Sequence, residues 1–93
     1  MSDIKDQVFE IFLHNFDSAA DEYRHVTWGS VLSVDQKIRL GEKLADKERA
    51  ATVKDVMEAF SLSLEKALAL CEESLPSWKA PSSAALKAFV YVD

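Results

Sequence analysis

Turn-forming residues are scarce in this chain, and their scarcity limits what it can fold into. The 93 residues include only two glycines and two prolines. All-β domains need a turn after every short strand, and most of those turns use one of these residues. The apolar share of 48% is that of a globular domain and is too high for a disordered tail. We therefore predict a single all-α domain over residues 1–93.

The first predicted helix has an unusually broad apolar face. A helix that begins near Ser2 or Asp3 and ends near Tyr23 spreads its apolar side chains over an arc of roughly 200°, whereas a helix on one side of a core needs about 100°. Either the later helices wrap it completely or a partner covers part of it. We expect a homodimer or a tight complex with another protein. The candidate interface residues are Val8, Phe9, Phe12, Phe16, Tyr23 and Trp28.

A serine capping pattern predicts where the second helix begins. Ser33 followed by Gln36 fits a capping box, and Gly29 supports a turn within the preceding connection, residues 26–33. The polar stretch at residues 46–51 predicts the end of this helix. One of its faces carries apolar or small residues, namely Val34, Ile38, Gly41, Leu44 and Ala45.

A third helix is predicted from Thr52 onward, because Thr52 followed by Asp55 fits an N-cap with an early acid. Apolar spacings of three and four favour one long helix that Pro76 ends, and a helix-turn-helix with a break between Phe60 and Leu64 is the alternative. Its seam consists of Val53, Met57, Phe60, Leu64, Ala67 and Cys71. With a short helix after Pro81 and a β-prone tail at residues 90–92, we predict a dimeric bundle of three main helices plus a short C-terminal helix.

Residues 52–68 carry a local pattern that can be compared with a known helix-turn-helix. Five residues match the helix-turn-helix of the LacI-type repressors, which this segment resembles: Thr52, Lys54, Asp55, Val56 and Ser63. The resemblance implies a DNA-binding transcriptional regulator that uses residues 52–70. Candidate DNA contacts are Arg49, Lys54 and Lys66. Ser61 stands at the turn glycine of the family, and the positions that would face the groove are mainly leucine and glutamate. DNA binding is therefore the alternative function.

Basic residues gather in the middle of the chain, although its net charge is −5. Residues 24–54 hold seven bases and four acids, whereas residues 1–23 hold six acids and one base. The simpler interpretation is an acidic first helix lying beside a basic second helix. The alternative is a phosphate-binding stripe, but four acids interrupt the bases.

Few residues fit a catalytic or metal-binding role. His14 and His25 are about 16 Å apart along a helix, which is too far to share one metal ion. Cys71 is the only cysteine, so no intrachain disulfide can form, and its place on an apolar seam beside Glu72 and Glu73 indicates a core residue. We predict no catalytic residue, no cofactor, no metal and no small-molecule substrate.

The predicted role is that of a non-enzymatic regulator or adaptor that binds a protein, itself, or both through helical faces. Inhibitors, antitoxins and phage-type modulators are proteins of this kind. Trp28 and Trp78 lie in connections and either close the ends of the bundle, which we favour, or anchor a partner. The N-terminus does not resemble a signal peptide, and no apolar run is long enough to span a membrane. We expect a cytoplasmic protein without a membrane partner.

Overall fold

The computed structural model describes residues 3–90, which form four helices. They are α1 (Ile4–Thr27), α2 (Val34–Phe60), α3 (Leu64–Ser74) and α4 (Ser83–Phe89), and this part of the chain contains no strand. The all-α prediction is confirmed. None of these helices combines the length and hydropathy that a membrane crossing needs. Of the tail predicted at residues 90–92, Tyr91 and Val92 lie outside the described residues.

The first two helices form an antiparallel hairpin joined by residues 28–33. α1 continues one turn beyond the predicted end at Tyr23, since the Thr27 hydroxyl donates to the Tyr23 carbonyl at 2.7 Å. Gly29 adopts a φ of +74° in the connection. The predicted capping box is confirmed: the Gln36 N–H donates to Ser33 Oγ at 3.2 Å, and the Ser33 N–H donates to Gln36 Oε1 at 2.8 Å.

The predicted end of the second helix at residues 46–51 is wrong, and so is the N-cap at Thr52. α2 continues to Phe60, and Thr52 is fully buried within it, where its hydroxyl lies 3.0 Å from the Glu48 carbonyl. The polar stretch remains helical because its side chains have partners on other elements. Asp46 accepts hydrogen bonds from Ser82, and Lys47 lies 3.5 Å from a carboxylate oxygen of Glu22 on α1.

One continuous helix from residue 53 to residue 75 is also a wrong prediction. Ser61 ends α2 in the left-handed conformation, with φ 53° and ψ 48°, and the Leu62 N–H donates to the Met57 carbonyl at 3.0 Å. Ser63 then caps α3, which turns back to pack against α1 and α2. The predicted end near Ser74 and the short fourth helix are both confirmed.

The core lies where α3 packs onto the hairpin, at the end away from residues 28–33. The apolar seam predicted for the third helix does enter this core, although the helix itself is broken. α4 lies against α2, and the Ser82 N–H ties its start to Asp46 Oδ1 at 2.8 Å. No residue of α2 before Leu44 is buried. The buried core cluster consists of Val8, Val53, Val56, Ala67, Cys71 and Leu75.

Candidate functional site

A groove of about 700 Å³ follows the seam between α1 and α2, and we call it the hairpin groove. Residues 75–79, the first part of the connection between α3 and α4, close one end of it. One wall belongs to α1, and its main residues are Phe9, Phe12, Phe16, Ala19, Ala20 and Tyr23. The other wall belongs to α2 and consists of Gly41, Leu44, Ala45, Glu48 and Arg49.

The α1 wall is a stripe of aromatic rings. Phe9, Phe12 and Phe16 follow one another at spacings of three and four, which places them on one face of a helix. Their ring centroids lie 6.1 Å and 5.7 Å apart, so neighbouring rings contact each other. Phe12 is partly buried against the core, whereas Phe9 and Phe16 are 46% and 52% exposed. The stripe therefore presents apolar surface to solvent beside the groove.

Small residues make the middle of the groove a recess. Ala19 and Ala20 on α1 lie across from Gly41 and Ala45 on α2. A Cβ atom added to Gly41 would lie 3.6 Å from Tyr23 Cε2, an ordinary van der Waals distance. The ring of Tyr23 therefore packs against Gly41, and the recess is the part of the groove beside it, lined by Ala19, Ala20 and Ala45 and bordered by the ring of Phe16.

A buried carboxyl group, Glu48, belongs to the lining of the groove. The Thr52 hydroxyl lies 3.1 Å from Glu48 Oε1, and Asn15 Nδ2 lies 3.4 Å from Thr52 Oγ1 and donates to Asp55 Oδ2 at 3.0 Å. Burial raises the pKa of Glu48, and it outweighs the opposite effects of the Thr52 hydrogen bond and the Arg49 charge. These four polar residues form a track between α1 and α2, which we call the polar track.

Two N–H donors near the closed end of the groove have no acceptor within residues 3–90. They are Arg49 Nε and Trp78 Nε1, and both atoms are buried. Arg49 also lies 3.9 Å from Asp46 through its Nη2 atom. Together with Arg24 and Lys79, it makes the groove lining predominantly cationic, because Glu48 is the one acidic residue in it.

The structure divides the six candidate interface residues. Phe9, Phe12, Phe16 and Tyr23 line the hairpin groove together. Val8 is fully buried in the core, so its selection was wrong. It precedes Phe9 by about 100° around the helix, and within the broad apolar arc it lies on the side that faces the core.

The sixth residue, Trp28, is 85% exposed in the connection and does not line the groove. The prediction that it closes the end of the bundle is therefore wrong. Trp78 is partly buried against the core, and it lines the closed end of the groove. Sequence reasoning missed the α2 wall and residues 75–79. The small residues Gly41 and Ala45, on one predicted face of α2, were the signal for that wall.

The alternative DNA contacts do not form one surface. Arg49 lines the groove, Lys54 lies about 140° around α2 from it, and Lys66 is exposed on α3. Of the positions that would face DNA, Leu64 and Leu68 pack against the core, so they are not available. The exposed positions of α3 are Glu65, Lys66, Ala69, Glu72 and Glu73, which include three acids and one base.

The thiol of Cys71 is fully buried in the core, as predicted. Burial raises its pKa to about 11, and the nearby charge of Glu48 adds to this effect, so Cys71 remains protonated at neutral pH. His14 and His25 are both exposed on α1. Within residues 3–90, no three histidine, cysteine, aspartate or glutamate side chains are grouped to hold a metal ion.

Comparison with known proteins leaves the hairpin groove as the main guide to function. The chain matches no protein-family model, and no curated protein and no solved structure is significantly similar to it.

Proposed function

We propose that this chain is a non-enzymatic protein-binding module, a regulator or adaptor, and that its hairpin groove receives an amphipathic helix. The observation that carries this proposal is the open groove along the seam between α1 and α2, whose α1 wall exposes the rings of Phe9 and Phe16. Inhibitors, antitoxins and phage-type modulators act by such contacts. A reducing, cytoplasmic setting suits a chain whose single cysteine is a buried thiol.

The dimensions of the groove fit a helix. From Phe9 to Tyr23 the α1 wall extends about 21 Å, or four helical turns. Two neighbouring helices leave a furrow along their seam, and a third helix fills it when its apolar residues recur at spacings of three and four. The partner would thus lie along α1 and α2 as a third helix, with one end next to residues 75–79.

The chemistry of the lining is that of a protein interface. Aromatic rings and arginine contribute more binding energy at interfaces than most other residues. The groove has both, with Phe9 and Phe16 at its border and Arg49 near its closed end. Its cationic residues favour a partner helix that carries acidic side chains along its flanks.

A comparative capture experiment tests this proposal. The intact protein is immobilised and exposed to native extract beside two aspartate variants. Phe16→Asp places a charge on the border of the groove, whereas Val31→Asp changes a fully exposed residue in the connection. We expect a partner that wild type and Val31→Asp retain and that Phe16→Asp loses. Equal retention by all three forms would show that the groove is not the binding site.

DNA binding remains a second candidate because the turn at residues 61–63 lies where the LacI-type motif has its turn. The acidic exposed face of α3 argues against it. An electrophoretic mobility assay at low salt decides the question. If Arg49, Lys54 and Lys66 contact DNA, the triple alanine variant loses a complex that wild type forms. If wild type shifts no DNA, this function is excluded.

A further inference from the structure

We propose that the hairpin groove is filled by the same face of a second copy, in a two-fold symmetric dimer with antiparallel α1 helices. This rests on the proposed function, since it names the partner that the same groove receives. A symmetric dimer needs a surface that is complementary to itself. The hairpin groove has this property in both shape and charge.

The shape is that of a protruding ring beside a recess. The ring of Phe16 is 52% exposed, and it lies one turn before Ala19 and Ala20 on the same helix. Ala45 completes the recess from α2. When two such faces meet with their α1 helices antiparallel, Phe16 of each copy enters the recess of the other copy. A single two-fold axis near residue 17 relates these two contacts.

The charges on α1 fit the same arrangement. Glu10 and Arg24 are both exposed and lie seven residues on either side of Asp17. Fourteen residues are close to four helical turns, so both face the same side of α1. An antiparallel pair centred on Asp17 brings Glu10 of each copy opposite Arg24 of the second copy. Asp17 meets its own counterpart on the axis, and this is an unfavourable like-charge contact.

The charges of the groove and of α1 also differ. Apart from Arg24, which belongs to α1 and is ion-paired with Asp21, the charged residues described in the lining are Arg49, Lys79 and Glu48. α1 carries five acids and two bases, so it is an acidic helix with an apolar stripe. A second copy therefore supplies the kind of helix that the groove fits best.

The available area suits a dimer of moderate stability. Helical spacing extends the apolar face from Phe9 to Val26 on α1 and back to Val34 and Ile38 on α2, and the last three are exposed. The face is about 26 Å long and about 20 Å wide, which gives a projected area of roughly 500 Å². Its accessible surface area is larger, because the side chains make the face uneven. Stable interfaces bury about 800 Å² of accessible surface per partner, which is of the same order.

Sedimentation of the full chain between about 1 and 100 µM tests the dimer, a concentration range that corresponds to typical moderate affinities. We expect a mass near twice 10.4 kDa at the upper end of this range. Phe16→Asp should weaken self-association at least about tenfold, whereas Val31→Asp should leave it unchanged. Circular dichroism confirms that each variant keeps its helices. A wild-type monomer at 100 µM overturns the dimer but not the binding of a foreign helix.

A mixing experiment tests the orientation of the two helices. Glu10→Arg and Arg24→Glu each create two repulsive pairs across the axis, so each variant alone should associate at least about tenfold more weakly. In a mixture, both pairs become attractive and a heterodimer should form. Asp17→Asn should tighten the dimer severalfold by removing the contact on the axis. A dimer that keeps its affinity in Phe16→Asp, or a mixture that recovers none, assigns self-association to another surface.

Discussion

The two halves of α2 have the same helical geometry but very different surroundings. Residues 46–60 include Glu48, Ala50, Thr52, Val53 and Val56, all of which are buried. In residues 34–45 only Leu44 is buried. The core contacts of α3 and the tie between α4 and Asp46 both fall on the second half. The second half therefore holds the fold together, whereas the first half leaves apolar residues such as Val34 and Ile38 exposed.

Matched valine substitutions in the two halves should have the largest difference in effect. Val53 is fully buried and Val34 is 73% exposed. Val53→Asp buries an unpaired charge and should cost more than about 4 kcal/mol of unfolding free energy, enough to unfold many domains of this size. Val34→Asp should change it by no more than about 0.5 kcal/mol. Urea denaturation followed by circular dichroism measures both, and similar losses would remove the distinction between the halves.

Removing the hydrogen bonds between α4 and the second half of α2 should cost less unfolding free energy than Val53→Asp. Asp46 accepts hydrogen bonds from the Ser82 N–H and hydroxyl, so Asp46→Ala should cost about 1–3 kcal/mol and release α4. Hydrogen exchange should then speed up at residues 83–89. Asp35→Ala, in the first turn of α2, is the control and should cost no more than about 1 kcal/mol. Unchanged exchange in α4 would show that other contacts hold it.

The Asp46 tie should also depend on pH. Burial raises the pKa of Asp46, but the two Ser82 hydrogen bonds and the charge of Arg49 outweigh it, and the pKa is lowered overall. The stabilisation is therefore complete above the pKa of the unfolded chain and is lost as the pH falls through the lowered value of the folded state. The stability difference between wild type and Asp46→Ala should shrink accordingly in acid.

Glu48→Gln should stabilise the protein at neutral pH. Burial raises the pKa of Glu48 in the folded state, so its charged form opposes folding above that pKa and has no such effect below the pKa of the unfolded chain. The amide oxygen of glutamine can still accept from Thr52. We expect a gain of about 1 kcal/mol at pH 7, or a Tm rise of about 4–8 °C, that disappears toward pH 4. Thermal melts at both pH values measure it, and a loss at pH 7 would contradict it.

The smallest effect is expected at the turn that ends α2. Ser61 has a φ of 53°, a conformation that glycine adopts at lower cost. Ser61→Gly should therefore stabilise the protein by about 0.5 kcal/mol, after the greater freedom of glycine in the unfolded chain is subtracted. Ser63→Gly removes the N-cap of α3 instead and serves as an opposite control, since it should be destabilising. Destabilisation by both would mean that Ser61 makes contacts beyond its backbone.

Sequence reasoning succeeded where a local chemical signal marks a boundary. The capping box at Ser33 and the break before Pro76 are such signals, because both act through the backbone of a few neighbouring residues. It failed at residues 46–51, where polar side chains remain helical through partners that lie far along the chain. It failed again at Ser61, because a serine does not indicate a left-handed turn as a glycine would.

Of the features of the groove, only the aromatic stripe on its α1 wall could be predicted from the sequence. The aromatic stripe of α1 is visible in the spacing of its residues, but the apolar arc is so broad that the sequence did not show that Val8 faces the core and Phe9 faces the groove. The recess was harder to foresee. Gly41 and Ala45 add little apolar signal, although both line the groove and the ring of Tyr23 packs against Gly41.

The polar track has a consequence for how α1 and α2 slide along each other. Apolar stripes with regular spacing tolerate a shift of one turn, since one large side chain can replace another at the seam. Such a shift would separate Asn15 from Thr52 and Asp55, leaving partly buried donors and acceptors unpaired. The polar track therefore favours one alignment of α1 and α2, and that alignment determines where the recess opens.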